Sequence, residues 1–194
     1  MAQRAEYRSS RRSRKLIKKA FAKLLHEKEL SKITVTDIIN EAEISRGTFY
    51  AHYPDVYGLF EKIESEELEI LMGFLDQVGY DELISNPAPV ISATLDYINQ
   101  DLEYYRLLFL SKNANLFMLK LKELLTNRII NDPTITTVYC QSPEEAAVYV
   151  SFFSTAIACV FVDWLRGDFD ISLEELSAIS SKILHNCFSA KPEA

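Results

Sequence analysis

The sequence predicts an all-α protein of about nine helices, a small N-terminal three-helix unit followed by a C-terminal helical bundle. Three observations predict it. Of 194 residues 48% are hydrophobic, yet only 5 are glycine and 6 proline, so long segments run without breakers. Apolar residues recur at three- and four-residue spacing through most of the chain, the period of amphipathic helices. Charge is divided as well: residues 1–62 hold 13 Lys/Arg against 8 Asp/Glu, and residues 63–194 hold 8 against 20. The split sets domains at 1–62 and 63–194, a basic head suited to phosphates and an acidic body that avoids them. The net charge of −7 conceals this.

Taken in order, Met1 to Ser10 reads as a polar, disordered arm. From about Arg11 to Lys28 the apolar residues Leu16, Ile17, Ala20, Phe21, Leu24 and Leu25 form one helical stripe, with Arg14, Lys15, Lys18, Lys19 and Lys23 on the other side. Leu30-Ser31-Lys32 ends that helix. Thr34 is a good N-cap for the second, with Asp37 three residues on in the manner of a capping box. Ser45 caps a third helix from Arg46 to about Tyr53, where Pro54 stops it. Asp55 caps a long fourth helix that fades near Gly79. Further helical patterns fall at about 89–100, 102–111, 115–130, 143–166 and 172–189, separated by Asn131-Asp132-Pro133 and Gly167-Asp168. Residues 134–140 are β-branched and fit no clear element.

Several classes of function are excluded. The chain has no Gly-rich phosphate loop, nucleophile elbow or metal-ligand spacing, so no catalytic residue, metal or cofactor is expected. Cys140, Cys159 and Cys187 are too far apart for a metal motif, and their odd number argues against a disulfide framework. They read as core or incidental thiols in a reducing compartment. His26, His52 and His185 form no ligand pattern with them. Residues 1–23 loosely match a transit peptide, but the helix runs directly into the first structural unit. Ala146 to Val162 is a 17-residue uncharged run, at the lower limit of a membrane span. Its Ser151, Ser154 and Thr155 make a buried packing helix the better reading, with no membrane partner.

The informative segment is Ile33 to Tyr53, two short helices joined by a tight turn. In a helix starting at Arg46, Phe49 and Tyr53 lie four residues apart and anchor it inward. Arg46, Gly47, Thr48, Tyr50 and Ala51 then occupy its exposed N-terminal side, the arrangement needed in a DNA major groove. Arg46 suits guanine, while Thr48 and the Ala51 methyl suit a thymine methyl. Gly47 lets the backbone approach the bases, and Tyr50 and His52 suit phosphate oxygens. Thr34 and Thr36 open the second helix, where hydroxyls and free N–H groups suit a phosphate. With the cap Ser45, these complete the expected DNA-binding set. The face Arg11, Arg12, Arg14, Lys15 and Lys18 supplies sequence-independent attraction or a minor-groove arm.

Ile33-Thr34-Val35, Asp37-Ile38, Ala42 and the run Ile44-Ser45-Arg46-Gly47-Thr48-Phe49-Tyr50-Ala51-His52-Tyr53 resemble the DNA-binding domain of TetR/AcrR-type transcriptional regulators. The match covers about residues 11–62, and its S-x-G-T-F-Y-x-H-F/Y core is specific. The resemblance implies a cytoplasmic homodimer on a palindromic operator of double-stranded DNA, most often a repressor, released by a small and often hydrophobic effector. Within its helical body, Val162 to Gly167 followed by Ser172 to Leu176 looks like the end of one dimer helix and the start of the next. Dimer contacts are accordingly expected at Ser151, Thr155, Ala158, Phe161, Ile179 and Ile183. The aromatic residues Tyr97, Tyr104, Tyr105, Phe109 and Phe117 are the expected effector lining.

There are two departures from the family pattern. Glu43 stands where relatives usually have glycine, and a left-handed glutamate costs roughly 1 kcal/mol. Val56 stands where they commonly have a phosphate-gripping lysine. The missing lysine leaves a second reading open, a protein-interaction regulator with degenerate DNA binding. A third, a basic amphipathic helix on a membrane surface, requires Leu16, Ile17, Phe21 and Leu24 to face lipid, whereas a folded head buries them.

Overall fold

A computed structural model describes residues 2–78, 82, 86–111, 114–131 and 142–189. Among these are nine α-helices and no strand: α1 (Ala2–Glu27), α2 (Val35–Glu41), α3 (Arg46–Tyr50), α4 (Val56–Val78), α5 (Ala88–Asn99), α6 (Leu102–Phe109), α7 (Ala114–Ile130), α8 (Pro143–Arg166) and α9 (Leu173–Ser189). A 3-10 turn, Leu30–Lys32, follows α1. Residues 134–140 lie outside the described residues.

Two compact units emerge, one of Met1–Glu67 with Glu103–Asn115 and one of Leu68–Leu102 with Leu116–Ala194. The first therefore takes in α6, which the charge boundary at residue 62 places in the body. Ile17, Phe21, Leu25, Ile38, Phe49, Leu59 and Ile63 are its most completely buried side chains, and Phe21 meets Phe60 edge-on at 6.2 Å. At a few kcal/mol per buried side chain, this core holds α1, α3 and α4 together. Ion pairs at the rim, Lys23–Glu41 at 2.7 Å and Lys28–Asp37 at 3.2 Å, tie α1 to α2 but are exposed enough to add little.

A network links α1, α4 and α6 in the interior. The Tyr105 hydroxyl donates to Glu67 Oε2 at 2.6 Å, and Lys18 Nζ lies 2.8 Å from Glu66 and 3.6 Å from Glu67. Glu67 is buried, and a buried carboxylate is tolerated only when so partnered.

Three expectations change. Residues 2–10 continue α1 instead of forming an arm, since Ala2 to Arg8 contain no breaker and several strong helix formers. The third helix ends at Tyr50 with Ala51 as its C-cap, because Tyr53 precedes a proline and is pushed out of helical geometry. And α8 is not buried within the chain: it is long and apolar enough to cross a membrane by length and composition, but only 11% of its most apolar window is covered. Val148, Phe152 and Val160 stay exposed, and Cys159 and Cys187 are free, exposed thiols and not core residues.

In the second unit α5 and α9 pack together. Ser142 caps α8 by accepting from the Glu145 N–H at 3.2 Å. Ser172 and Glu175 form a reciprocal capping box at α9. Gly167 ends α8 with φ 88°, its N–H and that of Asp168 reaching back to Trp164 and Asp163, a Schellman motif.

Candidate nucleic-acid interface

The turn between α2 and α3 is the same Schellman motif without the glycine. The Glu43 N–H donates to Asn40 O at 3.3 Å and the Ile44 N–H to Ile39 O at 3.1 Å, while Glu43 sits at φ 52°. A side chain is strained there. Glu43→Gly is therefore expected to stabilise the fold by about 0.5–1 kcal/mol, net of the entropy glycine adds to the unfolded chain. The check is a thermal melt, and a lower melting temperature would show that the glutamate makes compensating contacts.

Each cap fixes a helix start. Thr34 Oγ1 accepts from the Asp37 N–H at 3.1 Å, and Asp37 Oδ2 accepts from both the Thr34 N–H and hydroxyl at 2.9 Å. These bonds, with Lys28, hold the Asp37 carboxyl below its usual range. The Thr34 hydroxyl and N–H are thus both engaged by Asp37 within the chain. At α3, Ser45 Oγ accepts from the Thr48 N–H at 3.0 Å and bonds the Thr48 hydroxyl at 2.8 Å. Ser45 serves as a cap, and its bond engages the Thr48 hydroxyl.

The reading side of α3 is open. Phe49 is fully buried, with Tyr50 and Tyr53 rings 5.5 and 5.9 Å from its own. Arg46, Gly47, Tyr50 and Ala51 are exposed, Tyr50 by 49%. Arg46 Nη2 donates to Thr36 Oγ1 at 3.1 Å, which brings Thr36 onto the same face. A Cβ on Gly47 would meet only Ser45 Oγ, at 3.8 Å. Nothing inside the chain requires glycine there, although it weakens a helix by roughly 0.5–1 kcal/mol relative to alanine. Gly58 is the opposite case, since a Cβ there would come within 2.6 Å of Pro54.

His52 is committed inward. Its Nε2 lies 2.7 Å from Ser13 Oγ on α1, and burial, with the neighbouring Arg14 charge, holds its pKa below the ordinary value. The folded protein thus resists protonating His52. Its contribution to stability is complete above about pH 6.5 and falls with acid below that. Burial likewise pushes the Tyr53 hydroxyl up to about 12. Val56 is buried at the start of α4, so it packs where a lysine would reach out.

Tyr104, Tyr105 and Phe109 are buried in the first unit, whereas Tyr97 packs edge-on against Phe74 in the second. Phe117 lies on α7, its side chain outside the described residues. Of the expected dimer residues, Thr155, Ile179 and Ile183 are exposed, Ser151 and Ala158 half-buried, and Phe161 buried within the chain. Sequence reasoning missed the Lys18–Glu67–Tyr105 network. Its one signal was Glu64 and Glu67, three residues apart among the apolar positions of α4.

A short helix capped by serine, anchored by one buried ring and exposing a cationic, glycine-bearing side defines a helix-turn-helix unit. Residues 17–63 match the family of bacterial regulatory proteins of the tetR type, and residues 85–186 match a transcriptional regulator C-terminal region of the same group. The chain belongs to the TetR family of transcriptional regulators, which are not enzymes. It is 28% identical over 168 residues to the HTH-type dhaKLM operon transcriptional activator DhaS of Lactococcus lactis subsp. lactis (strain IL1403), covering 84% of each. It is 21% identical over 170 residues to an HTH-type transcriptional regulator of Bacillus subtilis (strain 168), YxbF. That alignment takes in 86% of this chain but only 42% of YxbF. The solved structure of the dihydroxyacetone kinase operon activator DhaS has the same fold, with a TM-score of 0.60 at 24% identity over 93% of this chain and 98% of that one.

Proposed function

We propose that this protein is a cytoplasmic homodimer that binds a palindromic DNA operator through the exposed side of α3, with its affinity set by a small-molecule effector. The observation that carries the reading is the α3 surface itself: Arg46, Gly47, Tyr50 and Ala51 are open while Phe49 holds the helix from behind. Arg46, Gly47, Thr48, Tyr50 and Ala51 remain the proposed base and phosphate contacts, with Thr36 beside Arg46. Thr34, Ser45 and His52 are assigned to holding the unit's shape, given their bonds within the chain.

Dimerisation is supported by the apolar side of α8. Val148, Phe152, Cys159 and Val160 are exposed at helical spacing, as are Ile179 and Ile183 on α9, too much apolar surface for a lone chain to leave in water. Equilibrium sedimentation tests this. The parent is expected at twice 22.2 kDa and Phe152→Asp at the monomer mass, while a monomeric parent would contradict it. The effector is proposed to act through α4, which begins in one unit and ends in the other, by favouring a conformer whose two reading helices no longer match the half-sites.

Repression is the usual direction in the family. The second reading, activation, is favoured by the 28% identical relative, an operon activator. Deleting the gene and measuring transcripts beside the bound sites decides between them: a rise means repression and a fall means activation.

A further inference from the structure

We infer that Thr36, on α2, determines sequence specificity by holding the Arg46 guanidinium in the position from which it reads a base. The inference rests on the proposed reading role of α3 and assigns Thr36 an action through Arg46. Thr36 is a positioning residue and not itself a base contact.

The arrangement is local to the helix-turn-helix. Thr34 caps α2 and Ser45 caps α3, so Thr36 is the second residue of its helix and Arg46 the first of its own. Across the turn, Arg46 Nη2 donates to Thr36 Oγ1 at 3.1 Å. The cap hydroxyls are committed elsewhere, Thr34 to Asp37 and Ser45 to Thr48. Thr36 has no capping duty, and its branched Cβ confines the hydroxyl to few directions. The capping box and the buried Ile38 fix α2 itself, so the acceptor stands on a rigid element.

A neutral acceptor suits this task. Among the described residues Arg46 has no ion pair, and its one polar partner is Thr36. Its charge therefore stays available to DNA, whereas a carboxylate would neutralise it and compete for the same N–H groups. Nη2 carries two hydrogens, one on the edge shared with Nε and one on the edge shared with Nη1. Whichever it gives to Thr36, the other edge keeps two parallel N–H groups, as the O6 and N7 of guanine require. A loose arginine loses its rotamer freedom on meeting a base. Thr36 removes part of that loss before DNA arrives, although both side chains are exposed.

Two readouts test the assignment in the full chain. The first needs no DNA: NMR relaxation of the Arg46 Nε–H, identified by its disappearance in Arg46→Lys. The parent is expected to show an ordered side chain there. Thr36→Val keeps the branched shape without the hydroxyl and is expected to lose that order, while Thr36→Ser retains it. The second readout is affinity for a duplex selected by the parent, for its single base-pair variants and for mixed-sequence duplex. Thr36→Val is expected to weaken the selected duplex by about 5-fold to 100-fold, with one arginine in each half-site. Discrimination is lost at the base pair that Arg46→Ala also stops reading. Mixed-sequence affinity changes less than about 2-fold, because no charge is removed. In an Arg46→Ala background Thr36→Val has no further effect. If Thr36→Val melts early, Thr36→Ala carries the same expectations. Unchanged order at Arg46 in the folded variant overturns the inference. So does an equal loss on selected and mixed duplexes that adds to that of Arg46→Ala, which makes Thr36 a direct phosphate contact. A parent that selects no sequence, yet whose Arg46 order depends on Thr36, leaves the positioning standing and removes the operator reading.

Discussion

Phe49→Ala is expected to melt the DNA-binding unit before the rest of the protein. The ring is fully buried and forms the only large apolar anchor on the five-residue helix α3, whose own hydrogen bonds are too few to hold it. Removing a buried phenylalanine costs about 3–5 kcal/mol, partly transfer and partly cavity. Set against a total of about 5–15 kcal/mol, that is a large fraction of the fold. A melting temperature lower by roughly 6–20 °C follows for a chain of this size, seen as an early loss of helical signal in circular dichroism. Operator binding is expected to disappear with it. A melt within two degrees of the parent would mean that α3 is held by something other than this ring.

Arg46→Ala is expected to have the opposite profile, with folding intact and specificity lost. Arg46 is exposed, and its bond to Thr36 is between exposed side chains, so stability should change by less than about 0.5 kcal/mol. A bidentate arginine–guanine pair is worth about 1–3 kcal/mol. With one pair in each half-site, specific affinity is expected to fall by roughly 30-fold to 10⁴-fold, while salt-dependent binding to mixed DNA persists. Arg46→Lys separates charge from geometry, since lysine keeps the charge but lacks the planar fork; it should recover non-specific affinity only. Titration of the selected duplex by fluorescence anisotropy reads both. Full retention of specific affinity in Arg46→Ala and in Tyr50→Ala would remove the α3 surface from the account.

Much of this was legible in the sequence because the signals were local. Thr34 and Ser45 each find their partner three residues away, so neighbouring residue types suffice to place both caps. The Phe49–Tyr53 spacing and Pro54 likewise fixed which side of α3 turns inward. Even the strained Glu43 was visible, because a turn of that length needs a left-handed residue. What was not legible depends on distant partners. An aromatic stripe such as Tyr104, Tyr105 and Phe109 has the same pattern whether it lines a cavity or fills a core. The bond from the Tyr105 hydroxyl to Glu67, 38 residues away, is likewise not visible in that pattern. The uncharged run in α8 reads as buried, yet what covers Val148 and Phe152 is not in the described chain; on the proposed reading it is a second copy. His52 is a residue type suited to phosphate, and its bond to Ser13, 39 residues away, was invisible in one dimension.

The most direct test of the central claim is selection of random duplex DNA by the purified protein at about 0.15 M salt, where phosphate attraction alone is weakened. Arg46→Ala is run beside it. The account predicts an enriched inverted repeat with the parent, its half-sites one helical turn or a multiple apart, and none with the variant. A folded, dimeric parent that enriches no sequence would contradict the account and assign α3 a role other than reading DNA.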